Sequence, residues 1–490
     1  MRLYIFILII SAVGSAAAAQ NLLVENITVL SSDAGSIHPI RNVLVRGGRI
    51  EKISPKRIVV EDDVRIINGL GKFLTPGIMD SHVHVSIIPG LGFVGDVKAA
   101  NHSVIVDAYL EQQPRSLLYY GVTQILDPNP GTAWSKFEST PQHPDYFRCE
   151  VITSLNSFPA VELPTNVAKI IYPYWVIEPS SEPESSRKTA YYEHSPEAVV
   201  ERIAESGAKC VKLYFENGYG DASQWPLLRE ETIARIRSAA KLHGLPILAH
   251  ANAVDMYEEA LRNDVDVIAH GLWNWGDDNA ATGLPDSVTT VLDEIHKQRI
   301  GFMPTHRIIA GLGELMIPRT LDNPEYLKVT PNRLLAWYRT PEAQWFKNEV
   351  IADFGGLQPE QIAAIFEHGT SSRGSRSLRY LSQLAHPLLL GSDSPGSPSY
   401  ANQPGLNTYK EMKMMALAGI PLESIFAAAT TNNVAQFGMD NDYGAVEEGK
   451  IANLLILREN PLKDIEAWNS IESVILHGQI IKRDTLAVKN

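Results

Sequence analysis

The sequence predicts an α/β protein: a (β/α)8 TIM barrel with a small β-sandwich domain formed by both termini. Three observations lead there. Between about residues 74 and 434, short apolar segments alternate with segments whose apolar residues recur every three or four positions, the mark of βα units around a parallel sheet. Eight apolar segments can be counted, enough to close a barrel: LTPGIMDSHVHV, GVTQILDP, FRCEVITSL, AKCVKLYF, LPILAH, VDVIAH, IGFMPTH and HPLLLGSD. The two ends of the chain share a different texture, short alternating strands broken by Gly, Asp and Pro.

In chain order, MRLYIFILIISAVGSAAAAQ places Arg2 ahead of an apolar run from Leu3 to Gly14 and small residues ending at Ala19, the shape of a secretory signal peptide. The run is shorter than the roughly 20 apolar residues that cross a bilayer. An exported protein, periplasmic or secreted, with no membrane attachment after cleavage is therefore expected. The expected division is a signal peptide over 1–19, one part of the small β-domain over 20–73, the barrel over 74–434 and the rest of the β-domain over 435–490. LLVENITVLS, NVLVRGGRIEKIS and VRIINGLGKFL supply the first strands of that domain, and NLLILREN and SVILHGQIIKR the last. EAVVERIAES, REETIARIRSAAKLHG, VDMYEEALRN and SVTTVLDEIHKQ read as amphipathic barrel helices. Two gaps, Ser157 to Tyr192 and Arg307 to Ala385, exceed plain connections and are expected over the top of the barrel, where selectivity would reside. The polar PSSEPESSRK stretch around Pro179 reads as a mobile loop.

The 490 residues carry 56 acidic and 43 basic side chains, a formal charge of -13. No Lys/Arg-rich run is present, so a nucleic-acid backbone finds nothing to hold and is excluded as a partner. Cys149 and Cys210 stand 61 positions apart in apolar segments with no framework spacing, and are expected as buried free thiols even in an oxidising compartment.

Barrel chemistry sits at the C-terminal ends of the strands. The first ends in His82-Val83-His84, and side chains two apart on a strand share a face, so both imidazoles point into the barrel mouth. The fifth and sixth close on Ala-His, at His250 and His270, and the eighth on Gly391-Ser392-Asp393. Four imidazoles and a carboxylate converging from four strand ends form a nitrogen and oxygen set suited to zinc or a similar ion. Lys212 shares a face with Cys210 and Tyr214, and points inward if they do. Spacing alone favours a lysine paired with Asp or Glu; the alternative is a neutral amine that captures carbon dioxide as a metal-bridging carbamate.

With these residues in view, the sequence resembles the amidohydrolase superfamily, and within it the imidazolonepropionase-related branch that includes metal-dependent Xaa-Pro and Xaa-Arg dipeptidases. The resemblance runs from about Leu23 to Arg483. It is carried by LTPGIMDSHVHV, LLYYGVTQILD before Asp127, VKLY at Lys212, LAHANA at His250, IAHG at His270, LLLGSDS at Asp393 and the C-terminal run from LAGIPLESIF to NPLKDI. It implies that His82, His84 and Asp393 hold one zinc ion, His250 and His270 a second, and that carboxylated Lys212 bridges the two. The chain departs from the pattern at Asn407, near where many relatives carry His, and in the aromatic HGLWNW after His270.

The expected reaction is hydrolysis of a C–N amide bond in a dipeptide or N-acyl amino acid. The metal activates water as hydroxide and polarises the carbonyl, Asp393 acts as general base and then acid, and His270 polarises the carbonyl if a single ion is bound. The alternatives are a mononuclear cyclic-amide hydrolase or deaminase, and an exported binding protein with a vestigial site. Tyr214, Tyr219 in the FENGYG loop, and His306 at the end of the seventh strand are the candidate substrate contacts. No Arg stands at an obvious strand end, so carboxylate recognition is unassigned. The expected partner is a small-molecule substrate; assembly into a homo-oligomer is left open.

Overall fold

The structure is a computed structural model and describes residues 21–30, 37–94, 97–178, 192–218 and 224–489. The signal-peptide segment, the loop around Pro179 and Tyr219 lie outside the described residues. No described helix is long and apolar enough to cross a membrane.

The first strands build the small domain: β1 (Leu22–Leu30), β2 (Ile37–Arg46), β3 (Arg49–Ser54), β4 (Arg65–Asn68) and β5 (Phe73–Pro76). Three from the far end of the chain complete it, β15 (Leu454–Leu457), β16 (Ile471–Leu476) and β17 (Gln479–Lys482). The order is β17-β16-β15-β5-β1-β2-β3, with β4 also paired to β1. Beside β1, β4 takes Leu22 to Glu25 and β5 takes Thr28 and Val29, so two limbs diverge from one strand. They enclose Leu22, Val24, Val43, Leu74, Leu454 and Ile475, the core of the small sandwich. One apolar face cannot be buried by either terminus alone, which is why both ends share the domain.

The barrel strands are β6 (Ile78–Asp80), β9 (Val122–Asp127), β10 (Asp145–Val151), β11 (Cys210–Tyr214), β12 (Ile247–His250), β13 (Val267–Ala269) and β14 (Gly301–Met303), while β7 (Ile87–Ile88) and β8 (Gly92–Phe93) form a separate hairpin. The seven pair in parallel in the order β14-β13-β12-β11-β10-β9-β6. The expected eighth strand, around Leu388–Leu390, forms no ladder. Leu389 N–H bonds the Phe302 carbonyl at 2.9 Å, and the Leu390 carbonyl receives Ser81 N–H at 3.0 Å. The Asn433 side chain closes the seam, accepting from Leu390 N–H at 3.0 Å and donating to the Met79 and Leu390 carbonyls, both at 2.7 Å.

The connecting helices bury the faces their spacing predicts. Pro196–Glu205 starts at Ser195, whose hydroxyl accepts from Ala198 N–H, and buries Val199, Val200 and Ile203. Glu230–Leu242 buries Ile233, Ile236 and Ala240, and Asp286–Gln298 buries Val288, Val291, Leu292 and Ile295. Met79, Leu126, Leu248, Val267, Met303 and Leu389 meet in one cluster of strand side chains, packed against Val434 and Phe437.

That cluster also holds Cys149 and Cys210, which form a disulfide with a Cα–Cα distance of 4.5 Å; the expectation of free thiols is corrected. Their 61-residue separation concealed that they are register partners on neighbouring parallel strands. The next inward residue after Cys210 is Lys212, so the bridge staples β10 to β11 one layer beneath it. A Cys149→Ala, Cys210→Ala double variant is expected to lose about 2–4 kcal/mol of stability, read from the midpoint of urea unfolding. Two titratable thiols in the unreduced, unfolded protein would overturn the pairing.

Candidate metal centre

β6 ends at Asp80 and the chain continues through His82 and His84 at the barrel mouth. Asp80 is fully buried, and Oδ1 accepts backbone N–H groups from His82 at 3.2 Å and from Ser392 at 3.0 Å. Thr408 Oγ donates to its other oxygen at 2.6 Å. One carboxylate thereby ties the first strand end to the last, and with them His82 to Asp393. Glycine is required at Gly391, where a Cβ would lie 2.4 Å from Met303 Sδ and 2.9 Å from the His82 Cβ.

The strand ends converge as expected. Asp393 Oδ1 lies 3.0 Å from His84 Nε2 and 3.4 Å from His82 Nε2, and Oδ2 lies 3.7 Å from His270 Nδ1. His82, His270 and Asp393 each offer a ligand atom within 4.8 Å of the others. The His82 ring is 5.1 Å from His84 and 5.2 Å from His270, which is 4.3 Å from His250. Asp393 and His270 both adopt left-handed backbone angles, φ +50° and +81°. Residues other than glycine are uncommon there, and such conformations gather at functional sites.

Lys212 is 1 % exposed, and its Nζ has no hydrogen-bond partner. The pairing with Asp or Glu favoured from spacing is not formed among the described residues: the nitrogen lies 5.6 Å from the Tyr214 ring, and no carboxylate is within ion-pair distance. Burial lowers its pKa to about 7, against a raising pull from Asp393. Burial also holds His82 and His270 well below the ordinary imidazole value, with Lys212 adding to the effect, and lowers His250. His84 differs: burial would lower it, but Asp127 and Asp393 outweigh that and raise it to about 9. Three neutral imidazoles with free lone pairs and an amine near neutrality suit a cation, and His84 would release its proton as the ion enters. The orphaned atoms agree, since His82 Nδ1, Lys212 Nζ and Asp393 Oδ1 are buried without hydrogen bonds. The residues present fit a divalent metal.

Three histidines lean on groups the sequence reading gave no role. Asp127 Oδ1 is 3.7 Å from His84 Nδ1 and is itself held by Asn129 N–H at 3.0 Å. Thr305 Oγ is 2.9 Å from His270 Nδ1, and Glu216 Oε2 is 3.5 Å from His250 Nε2. The Tyr257 hydroxyl donates to the His270 carbonyl. Asp127 was legible, because GVTQILDP closes an apolar run on a polar side chain as the histidine strands do. Thr305 and Glu216 lie in loops, where no periodicity marks an inward residue.

Of the expected substrate contacts, Tyr214 has its ring 5.1 Å from His250 and 5.5 Å from Phe158, which stacks on Trp225 at 4.4 Å. His306 is fully buried, and a Cβ on either Gly271 or Gly374 would lie 2.7 Å from its Nε2. Both ring nitrogens are buried without a hydrogen-bond partner, and burial lowers its pKa to about 4. Arg307 follows it, beyond the strand end. Its side chain is turned away to Glu314 at 2.8 Å, Asn407 at 3.2 Å and the Ala401 carbonyl at 2.9 Å. Asn407 thus serves this outer network.

The fold has many solved relatives. A molinate hydrolase is 16 % identical with a TM-score of 0.65, covering 95 % of each chain. The A. niger ochratoxinase is 16 % identical with a TM-score of 0.64, over 95 % of this chain and 96 % of that one. An Xaa-Pro dipeptidase with bound methionine in the active site is 18 % identical with a TM-score of 0.61, over 94 % of this chain and all of that one, 100 %. No curated protein matches the sequence. The model of the amidohydrolase family matches residues 169–481, well over half of the sequence and including Lys212, His250, His270 and Asp393. By this match and by the strand-end ligand set, the chain belongs to the amidohydrolase family and is a hydrolase of carbon–nitrogen bonds.

Proposed function

We propose that the protein is an exported enzyme that hydrolyses the amide bond of a dipeptide or N-acyl amino acid at a centre for two divalent ions, with Asp393 handling the proton. The observation that carries this reading is the buried cluster of His82, His270 and Asp393, ligand atoms within 4.8 Å of one another, with His84 and His250 beside it and the Lys212 amine unpartnered. Bound divalent zinc would supply a water acidic enough to ionise near neutral pH and would polarise the scissile carbonyl.

The chain's own groups do the rest. His82, His84 and Asp393 would hold one ion, His250 and His270 the other. Lys212, with its pKa lowered to about 7 by burial, is partly neutral at physiological pH. Its amine would add carbon dioxide and release a proton, becoming a carbamate whose single negative charge is shared by two oxygens able to ligate a cation. Asp393 would take the proton from the attacking water and return it to the amine nitrogen as the C–N bond breaks. With a single ion bound, His270 would polarise the carbonyl. Tyr214, at the end of β11 beside His250, is the substrate contact the geometry favours. The dipeptide choice draws support from the similar fold named as an Xaa-Pro dipeptidase.

Elemental analysis is expected to give about two divalent ions per chain, and a panel of dipeptides and N-acyl amino acids to contain a substrate. A metal-replete protein inert on the whole panel would return the binding-protein reading, and full activity without metal would remove the centre from the reaction. Export draws support from the first 20 residues and from the Cys149–Cys210 bridge, since disulfides persist in oxidising compartments. N-terminal sequencing of protein recovered outside the cytoplasm should begin just after Ala19.

A further inference from the structure

We propose that Glu216 is a positioning residue that sets the ring of His250, holding its Nε2–H outward and leaving Nδ1 as the lone-pair nitrogen. The inference rests on the metal-centre reading and adds a group that ligand spacing does not reveal. Glu216 is 2 % exposed, yet no Lys or Arg pairs with it among the described residues. Burying a carboxylate without a cation is costly unless the site uses it.

Its partners define that use. Oε2 lies 3.5 Å from His250 Nε2 and accepts from Asn252 Nδ2 at 2.8 Å, while Oε1 accepts from Gly218 N–H at 3.1 Å. The amide and the backbone aim the carboxylate, and the His250 imidazole is the next potential donor beside it among the described residues. The backbone fixes the two residues relative to each other. Tyr214 and His250 are register partners on β11 and β12, and Phe215 N–H bonds the His250 carbonyl at 2.8 Å. A neutral imidazole donates from one nitrogen and accepts at the other. If the carboxylate engages Nε2–H, Nδ1 is left to face a cation. His84 presents its other nitrogen to a carboxylate: Nδ1 faces Asp127 Oδ1 at 3.7 Å, beyond hydrogen-bond reach, while Nε2 lies 3.0 Å from Asp393. Carboxylates thus face opposite nitrogens on two histidines of the same centre.

The test uses the full-length metal-free protein and its Glu216→Gln variant. Nitrogen-15 spectra of the His250 ring at pH 8 should show the Nε2–H tautomer in the wild type. Glutamine keeps one acceptor oxygen and sets an NH2 against either Gly218 N–H or the Asn252 and His250 side, so the variant should lose part of its Nε2–H form to Nδ1–H. Its zinc affinity, from competition with a chelator, should fall by about 10- to 100-fold. Asn252→Ala removes the other donor to the same oxygen and keeps the charge, so it should leave the tautomer in place and the affinity little changed. A wild-type His250 in the Nδ1–H form overturns the inference. So does a glutamine variant with unchanged tautomer and affinity, or an alanine at 252 that costs as much as the glutamine, since the carboxylate would then be a loop anchor. A wild type that binds no zinc removes the metal reading, while the nitrogen spectra still decide the role of Glu216.

Discussion

Asp393→Asn is expected to lower turnover by about 100- to 10,000-fold, the usual contribution of a positioned acid or base, with most of the metal retained. The substitution keeps the side chain's size and one ligating oxygen and removes its basicity. It is also tolerated by the backbone. Asp393 sits at φ +50°, a left-handed conformation that Asn adopts more readily than most residues, so lost activity would not reflect a distorted strand end. The carboxylate is 3.0 Å from His84 Nε2 and 3.4 Å from His82 Nε2, inside the cage and not at its rim. His306 is the titratable side chain that could stand in for it, and its own replacement in the Asn background checks that route. An interaction used in the transition state lowers kcat more than it raises KM, so the loss should fall mainly on kcat. Near wild-type kcat with full metal occupancy would end the assignment of Asp393 as the proton carrier.

Replacing Lys212 has the second large effect, and it separates function from stability. In Lys212→Ala the cage should lose the bridge and much of its metal, with partial rescue of both by short carboxylates. Lys212→Met adds a stability test in the metal-free protein. Burial lowers the folded-state pKa to about 7, against the ordinary 10.5 of the unfolded chain. Between these values the unfolded chain binds a proton that the folded one does not, so wild-type stability rises with pH across that window and falls as pH drops towards 7. At about 1.4 kcal/mol per tenfold change, the cost below pH 7 reaches about 5 kcal/mol at most. Methionine fills the same space without a charge to bury. The metal-free Met variant should therefore exceed the wild type most at pH 7 and below, with the advantage fading towards pH 10. Urea midpoints that run parallel for the two proteins across this range would show that Lys212 is not a buried unpaired amine.

Much of this protein is determined by local pattern. The alternation of apolar runs and amphipathic helices is a property of neighbours a few residues apart, and it placed the barrel strands in their order. The same holds for the metal cage. A strand carries its last inward residue to the barrel mouth, so His82, His84, His250, His270 and Asp393 could be read from where each apolar run stops, whereas Lys212 entered as a ligand only through the family resemblance. What depended on register or on loop conformation was not available in that way. Cys149 and Cys210 are partners because β10 lies beside β11, and nothing in a 61-residue separation states that. The eighth barrel segment reads as a strand but is stitched largely by the side chain of Asn433, 43 residues downstream of Leu390. The expected ion pair of Lys212 failed because no carboxylate comes within reach of it, a fact of three-dimensional distance. Glu216 and Thr305 lie past the strand ends, where the chain has no repeating geometry, and they meet their histidines only because the barrel brings successive strand ends side by side. Short-range periodicity was thus enough to name the atoms that could meet a cation, while the partners that orient them follow from long-range packing, which alone decides which strand ends become neighbours.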